Sequence, residues 1–267
     1  MSGFPAPFLE VLRRADEVVA FTGAGMSAES GVPTFRGDGG LWQKFRPEEL
    51  ANVGAFLRNP VLVWEWYEHR RTVLAGVSPH PGHRALAAME AIFPRVTVVT
   101  QNVDNLHRRA GSTRVLELHG NIERNYCIRC GARYDGADVP VRDRVPSCTA
   151  GAAGTACGGL IRPDVVWFGE PLPEEEWEAG VRAIGRADLC LLVGTSGVVY
   201  PAASLPALAQ RQGAYTVEIN PEPTPFTDSA DLVLRQPAGI ALPAILDAAR
   251  AARSLHPPSP SPTPHTP

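Results

Sequence analysis

Cys127 and Cys130 form a C-x-x-C pair, and Cys148 and Cys157 follow, the last beside Gly158-Gly159. Four thiolates suit a tetrahedral zinc ion, and a closed set leaves no place for water, so such a metal would stabilise its module instead of performing catalysis. The second pair is separated by TAGAAGTA, longer than the usual ligand spacing, but a loop of small residues can bulge out without moving its ends. The alternative is a pair of reduced surface thiols with two unrelated ones. A second constellation is Gly23-Ala24-Gly25-Met26-Ser27-Ala28, which follows the apolar run Val18–Thr22 and matches the G-x-G-x-x-A form of a dinucleotide fingerprint. Glycines there let the backbone approach a pyrophosphate, and a helix beginning after the turn would aim its amides at the phosphates. A tight strand-to-helix turn without ligand has the same residues. His119 lies just past the run Val115–Leu118, where an open α/β sheet presents its ligand crevice. A near-neutral pKa suits a base, and equally a hydrogen-bonded surface residue.

The elements that must position these groups are legible as apolar runs. Val18–Thr22, Val96–Thr100, Val115–Leu118, Leu189–Val193, Tyr215–Ile219 and Leu232–Leu234 have strand length and lack alternation, as expected of strands buried on both faces. Helix-like segments such as Gly82–Ile92 and Ala202–Arg211 lie between them, so a doubly wound, Rossmann-like parallel α/β sheet is predicted. Two stretches break the rhythm, and together they read as a smaller inserted module of helices and a zinc ribbon. The expected division is a large domain of 1–36, 80–120 and 164–253, a small module of 37–79 and 121–163, and a disordered Pro-rich tail, 254–267. Cys190, inside Leu189–Val193, reads as a small core residue.

A net charge of -3 gives no general reason to bind nucleic acid or an anionic membrane. Neither a signal-peptide pattern nor a spanning apolar run is evident, and five cysteines, four of them in one stretch, suit a reducing compartment, so a cytoplasmic location is expected.

Longer motifs sharpen the reading. GAGMSAESGVPTFRGDGGLW at Gly23–Trp42, TQNVDNLHRRAG at Thr100–Gly111, then ELHG, VVWFGE, GTSGVVYPAA and the Ile219-Asn220 pair follow one another in an order that resembles the sirtuins from Val18 to about Leu242. The resemblance implies an enzyme that couples removal of an acyl group from lysine to cleavage of NAD, releasing nicotinamide and 2′-O-acyl-ADP-ribose. It implies that the lysine amide oxygen attacks the nicotinamide ribose and that His119 then takes a proton from a ribose hydroxyl. Gly23, Ala24, Gly25, Ala28 and Glu29, with Phe35, Arg36 and Trp42 from the glycine-rich loop, are the implied cofactor contacts near the turn; Gln101, Asn102 and Asp104 line the nicotinamide and ribose side, and also suit helix capping. Gly194, Thr195, Ser196, Asn220, Glu222 and Ala238 fall on the adenosine side.

Within this resemblance Tyr67 and Arg70, three apart on a helix-like stretch, look like the marker of members that accept acidic acyl groups, because Arg can grip a carboxylate bidentately. On an ordinary helix they are a surface pair. Val166, Phe168 and Gly169 resemble the strip that pairs with a substrate peptide backbone. The implied partners are acyl-lysine side chains of other proteins. Two rivals use the same residues: transfer of ADP-ribose onto protein, and a zinc-ribbon module that only senses NAD.

Overall fold

The computed structural model describes residues 3–34, 50–135, 139, 141–142, 145–151 and 155–254. Phe35, Arg36 and Trp42 lie outside the described residues, as does 255–267.

Six strands form the main sheet: β1 (Glu17–Thr22), β2 (Arg95–Thr100), β3 (Val115–Glu117), β9 (Leu189–Val193), β10 (Tyr215–Ile219) and β11 (Leu232–Leu234). Their spatial order is β3-β2-β1-β9-β10-β11, and every pair is parallel. Renumbered within the sheet this is the 3-2-1-4-5-6 order of a dinucleotide fold, with its reversal between β1 and β9. The uninterrupted apolar runs are explained by burial on both faces. Val18 and Ala20 enter one core with Phe8, Leu86, Leu191 and Ile245, while Val19 and Phe21 enter another with Cys190, Leu192 and Leu205. Cys190 is fully buried, and burial pushes its thiol up to about 12, so it is inert packing.

The flanking helices are α1 (Ala6–Arg14), α4 (Pro81–Met89), α6 (Glu174–Ile184), α7 (Leu205–Arg211) and α8 (Ala238–Ser254). Two expected spans shorten: the helix from Pro81 gives way to turns after Met89, and Ala202–Ser204 is a 3-10 turn ahead of α7. Helix α8 runs through Ser254, where the tail was expected to begin.

A second, antiparallel sheet is built from β4 (Gly120–Cys127), β5 (Arg133–Asp135) and β8 (Ile161–Val165), with the short pair β6 (Val141–Arg142) and β7 (Val145–Pro146) beside it. Helices α2 (Val53–Arg58) and α3 (Pro60–Ala75) pack on it, sharing a core of Phe56, Trp64, Tyr67, Ile122, Cys127, Ile161 and Trp167. The chain passes from the large sheet to the small one at His119-Gly120, between β3 and β4. Gly120 is needed there: its φ is +79°, and a Cβ would stand 2.1 Å from the Asp164 carbonyl oxygen. Among the described residues no helix is long and apolar enough to cross a membrane.

Candidate active site and metal centre

The crevice opens at the carboxyl ends of β1 and β9, where a glycine turn follows each strand. Here the turns grip each other. Gly23 N–H donates to the Val193 carbonyl (3.0 Å) and Gly25 N–H to that of Gly194 (2.8 Å). A Cβ on Gly23 would lie 2.8 Å from Thr195 Cα, one on Gly25 2.8 Å from Gly194 Cα, and one on Gly194, whose φ is +57°, 2.2 Å from Met26 N. These glycines therefore serve backbone-to-backbone packing at the reversal point. The expected helix after the turn is a 3-10 helix, Ala24–Ser30, ended by Gly31 at φ 89°. Two of its early amides are committed within the protein, Gly25 N–H to the Gly194 carbonyl and Met26 N–H to the Gly23 carbonyl, so the turn does not present an unbroken row of free helix amides. Ala24 and Gly25 are half-buried and Ala28 is exposed.

Gln101, Asn102 and Asp104 leave the end of β2 in the same crevice. Asn102 Nδ2 donates to the Gly23 carbonyl (3.0 Å) and to Ser27 Oγ (3.2 Å), and Ser27 Oγ donates to Asp104 Oδ2 (2.6 Å). Asp104 Oδ1 accepts from Leu106 N–H (2.9 Å), capping α5 (Leu106–Arg109), so capping and site roles coexist. Burial raises the Asp104 carboxyl above its ordinary value, against the pull of Ser27, the Leu106 amide and the Arg70 and Arg109 guanidiniums. Gln101 Nε2 donates to Thr195 Oγ1 (2.9 Å), tying the β2 end to the β9 turn.

His119 is half-buried with Nδ1 3.0 Å from the Gln101 carbonyl oxygen. A carbonyl only accepts, so Nδ1 carries the proton and Nε2 presents its lone pair. Burial holds the ring's pKa below the usual histidine range, opposed by that hydrogen bond. The result is a neutral imidazole oriented as a base at neutral pH.

Tyr67 and Arg70 lie on α3 with the guanidinium 5.7 Å from the Tyr67 ring centroid and 4.9 Å from that of Trp66. The Tyr67 hydroxyl accepts from Trp167 Nε1 (2.7 Å). Trp167 follows Val166, whose amide donates to the His119 carbonyl (2.9 Å), so the pair belongs to the neighbourhood of the histidine. Neighbouring Arg71 is spent elsewhere, on the Ile122 carbonyl, Asn125 Oδ1 and Glu68. Burial lowers the Arg70 guanidinium from its ordinary value, and both Tyr67 and Asp104 oppose that shift.

The expected peptide strip is partly occupied by its own chain. Val166 N–H donates to the His119 carbonyl and Phe168 N–H to the Ala51 carbonyl (2.9 Å), so both amides bond within the chain. Phe168 is 48% exposed and Gly169 is exposed at φ +88°, so these two offer the open surface. Beneath them Arg162, 2% exposed, pairs with Glu170 (2.5 Å) and lies 3.4 Å over the Trp167 ring.

On the adenosine side Thr195 is buried, Ser196 exposed, and Asn220 Nδ2 donates to the Thr195 carbonyl (3.1 Å). Glu222 is exposed. Glu29 accepts from Gly239 N–H (2.7 Å) and so caps α8 with its carboxylate. Ala238, at the start of α8, is buried in the core with 5% exposure.

The four cysteines converge. Their sulfurs all lie within 4.8 Å of one another, with Cys127 to Cys157 at 3.8 Å and Cys130 to Cys148 at 3.6 Å. Zinc–sulfur bonds of about 2.3 Å arranged tetrahedrally require sulfur separations of about 3.8 Å. All four are free thiols, so the donor set fits a structural zinc ion. The long insert is closed at its neck: Cys148 N–H bonds the Gly159 carbonyl (2.8 Å) and Cys157 N–H that of Ala150 (2.8 Å).

Three groups escaped sequence reasoning. Ser27 bridges Asn102 and Asp104, and its hydroxyl inside the glycine motif was the available signal. Glu218, 1% exposed, accepts from Thr224 and Thr227 hydroxyls and pairs with Arg235, fixing the loop after β10. His80, His83 and His107 pack edge to face in a row, centroids 4.3 and 4.9 Å apart, and His80 Nε2 donates to the Met26 carbonyl (2.5 Å).

A doubly wound sheet with a base and polar groups at its reversal point, joined to a four-cysteine module, defines a dinucleotide-using enzyme class. The model of the Sir2 family matches residues 23–201. The chain is 52% identical over 238 residues to NAD-dependent protein deacylase 2 of Pyrobaculum aerophilum, covering 89% of this chain and 93% of that protein. It is 51% identical over 236 residues to the NAD-dependent protein deacylase of Mycobacterium tuberculosis, covering 86% and 96%. Among solved structures it is similar to a Sir2 homologue in complex with ADP-ribose, with TM-score 0.88, 42% identity, and 94% and 99% of the two chains covered. A Sir2 complex with p53 peptide and NAD+ superposes with TM-score 0.81 at 34% identity, covering 92% and 98%. The chain belongs to the Sir2 family.

Proposed function

We propose that this protein removes acyl groups from lysine side chains of other proteins, with a preference for acyl groups that end in a carboxylate, such as succinyl and malonyl. At the coarser level it is an NAD-dependent protein deacylase, as its family and its relatives of about half-identical sequence make it. The observation that carries the enzymatic reading is His119, held by the Gln101 carbonyl with Nε2 free to accept a proton beside Gln101, Asn102 and Asp104. In this reading the lysine amide oxygen bonds to the nicotinamide ribose as nicotinamide departs, and His119 takes the ribose hydroxyl proton that allows the acyl group to move to ADP-ribose. Asn102 and the Ser27–Asp104 pair fix the turn against which the dinucleotide lies. Zinc, held by Cys127, Cys130, Cys148 and Cys157, supplies structure, since four thiolates close its coordination.

The finer preference rests on Tyr67 and Arg70. Arg70 lies over the Trp66 and Tyr67 rings with Asp104 acting on its guanidinium, so a guanidinium and a phenol stand together where an acyl carboxylate would be received. A charge-assisted pair with an acyl carboxylate contributes about 1.5–3 kcal/mol. Turnover of succinyl- and acetyl-lysine peptides by the parent and by Arg70→Met tests this. The expected result is a succinyl preference in the parent and a loss of about 10- to 150-fold in succinyl kcat/KM in the variant, with acetyl turnover kept. A parent that prefers acetyl, or a variant that loses both equally, contradicts it. The same reading has the protein working in the cytoplasm, where the five cysteines stay reduced.

A further inference from the structure

The cysteine cluster is held unequally. Cys127 has the ordinary support of a C-x-x-C knuckle: Arg129 N–H points to its sulfur at 3.4 Å, and Gly131 N–H closes the turn onto its carbonyl at 2.9 Å. The second half keeps the closing bond, Gly158 N–H onto the Cys148 carbonyl at 3.0 Å, but eight residues separate Cys148 from Cys157 and, among the described residues, no amide donates to the Cys148 sulfur. In its place stands one side chain from another strand. The Tyr134 hydroxyl on β5 donates to Cys148 Sγ (3.1 Å) and accepts from the amides of Thr149 (3.1 Å) and Ala150 (3.3 Å), the first two residues of the insert. One oxygen thus holds both a ligand sulfur and the start of the loop.

We propose that Tyr134 is a positioning residue of the zinc site, its hydroxyl substituting for the amide-to-sulfur bond that Cys127 has and Cys148 lacks, and shielding the Cys148 thiolate. This rests on the reading that the four cysteines hold zinc. A phenolic O–H bonded to a metal thiolate draws charge from the sulfur, making it a poorer target for a proton or an oxidant, while the two amides prevent the hydroxyl from rotating away. It also accounts for how a ligand spacing outside the usual range is tolerated: the Cys148 sulfur is held from β5 while Gly158 and Gly159 close the neck of the insert.

The test is zinc release from the full-length protein to a chromogenic chelator, with metal content measured first. The parent is expected to hold one zinc, and Tyr134→Phe to hold the same amount but release it roughly ten times faster. In cobalt-substituted protein the sulfur-to-metal charge-transfer band of the variant is expected to shift. Tyr126→Phe, which alters a tyrosine of the same sheet outside the sulfur contacts, is expected to match the parent. Should Tyr134→Phe not fold, Thr149→Pro, which removes one amide holding the phenol, carries the same expectation. Unchanged release overturns the proposal, and faster release without a band shift reduces Tyr134 to packing and overturns it too. A parent without zinc overturns the metal reading itself.

Discussion

Acid should weaken this fold through two histidines. His83 is fully buried with both ring nitrogens unpartnered among the described residues, and burial, with His107, His80 and Arg84 nearby, pushes it down to about 2. His107, 2% exposed, is pushed down to about 3 by burial and by His80. Thr22 Oγ1 donates to Thr100 Oγ1 (2.8 Å) and so accepts from His107 Nε2 (3.0 Å), leaving Nδ1 without a partner. In the unfolded chain both rings titrate near 6.5. Folded-state values lie below that, so the unfolded state binds more protons as pH falls, and stability present above 6.5 is lost on the way towards 3. Each ring costs about 1.4 kcal/mol per pH unit, hence about 2 kcal/mol at pH 5.0 and about 4 kcal/mol for the two. Urea unfolding of the parent and of His83→Leu at pH 7.5 and 5.0 isolates the effect, because carboxylate and zinc-thiolate protonation is common to both chains. The variant is expected to stay within about 1 kcal/mol of the parent at pH 7.5, since no protein group bonds the ring. Between the two pH values it should lose about 2 kcal/mol less than the parent. Equal losses would show that His83 is not held neutral by burial and would refute the reasoning. Because His80 supports the Met26 carbonyl, acid loosening should reach the NAD turn as well.

His119→Ala is expected to lose turnover by at least about 100-fold while keeping its melting temperature and its affinity for acyl peptide, since the ring makes only the Gln101 hydrogen bond among those described; a variant keeping a tenth of the parental rate contradicts the base role. Gly194→Ala is expected to lose about 3 kcal/mol or more of stability, and NAD affinity with it, because its Cβ would stand 2.2 Å from Met26 N at a φ of +57°; thermal unfolding with and without NAD checks this.

The main sheet was legible because each strand is buried on both faces and is therefore a plain apolar run, as Leu189–Val193 illustrates. The second sheet was not, since β4 carries Asn121, Glu123, Arg124 and Asn125, polar residues held by cross-strand pairs and ion pairs that no local pattern announces. The same distinction runs through the site. Motif residues such as His119, Asn102 and Asp104 come together in one crevice, and the cysteines converge despite their irregular spacing. The surroundings of Glu29 and Ala238 were not legible, because they are set by a contact 210 residues apart, where Glu29 caps the helix that Ala238 begins. The Gly25 amide at the glycine turn was illegible for a related reason: the Gly194 carbonyl after β9 takes it, and that partner is visible only once the sheet order is known.

The central claim is that acyl removal is coupled to NAD cleavage, with His119 acting after nicotinamide has left. Mass spectrometry of a reaction containing the protein, NAD and a succinyl-lysine peptide tests it directly. The expected result is equal amounts of nicotinamide, free-lysine peptide and 2′-O-succinyl-ADP-ribose, with the free-lysine peptide and the acylated ADP-ribose abolished by His119→Ala. Peptide or protein carrying ADP-ribose with the acyl group still in place, or free lysine appearing without nicotinamide, would contradict it.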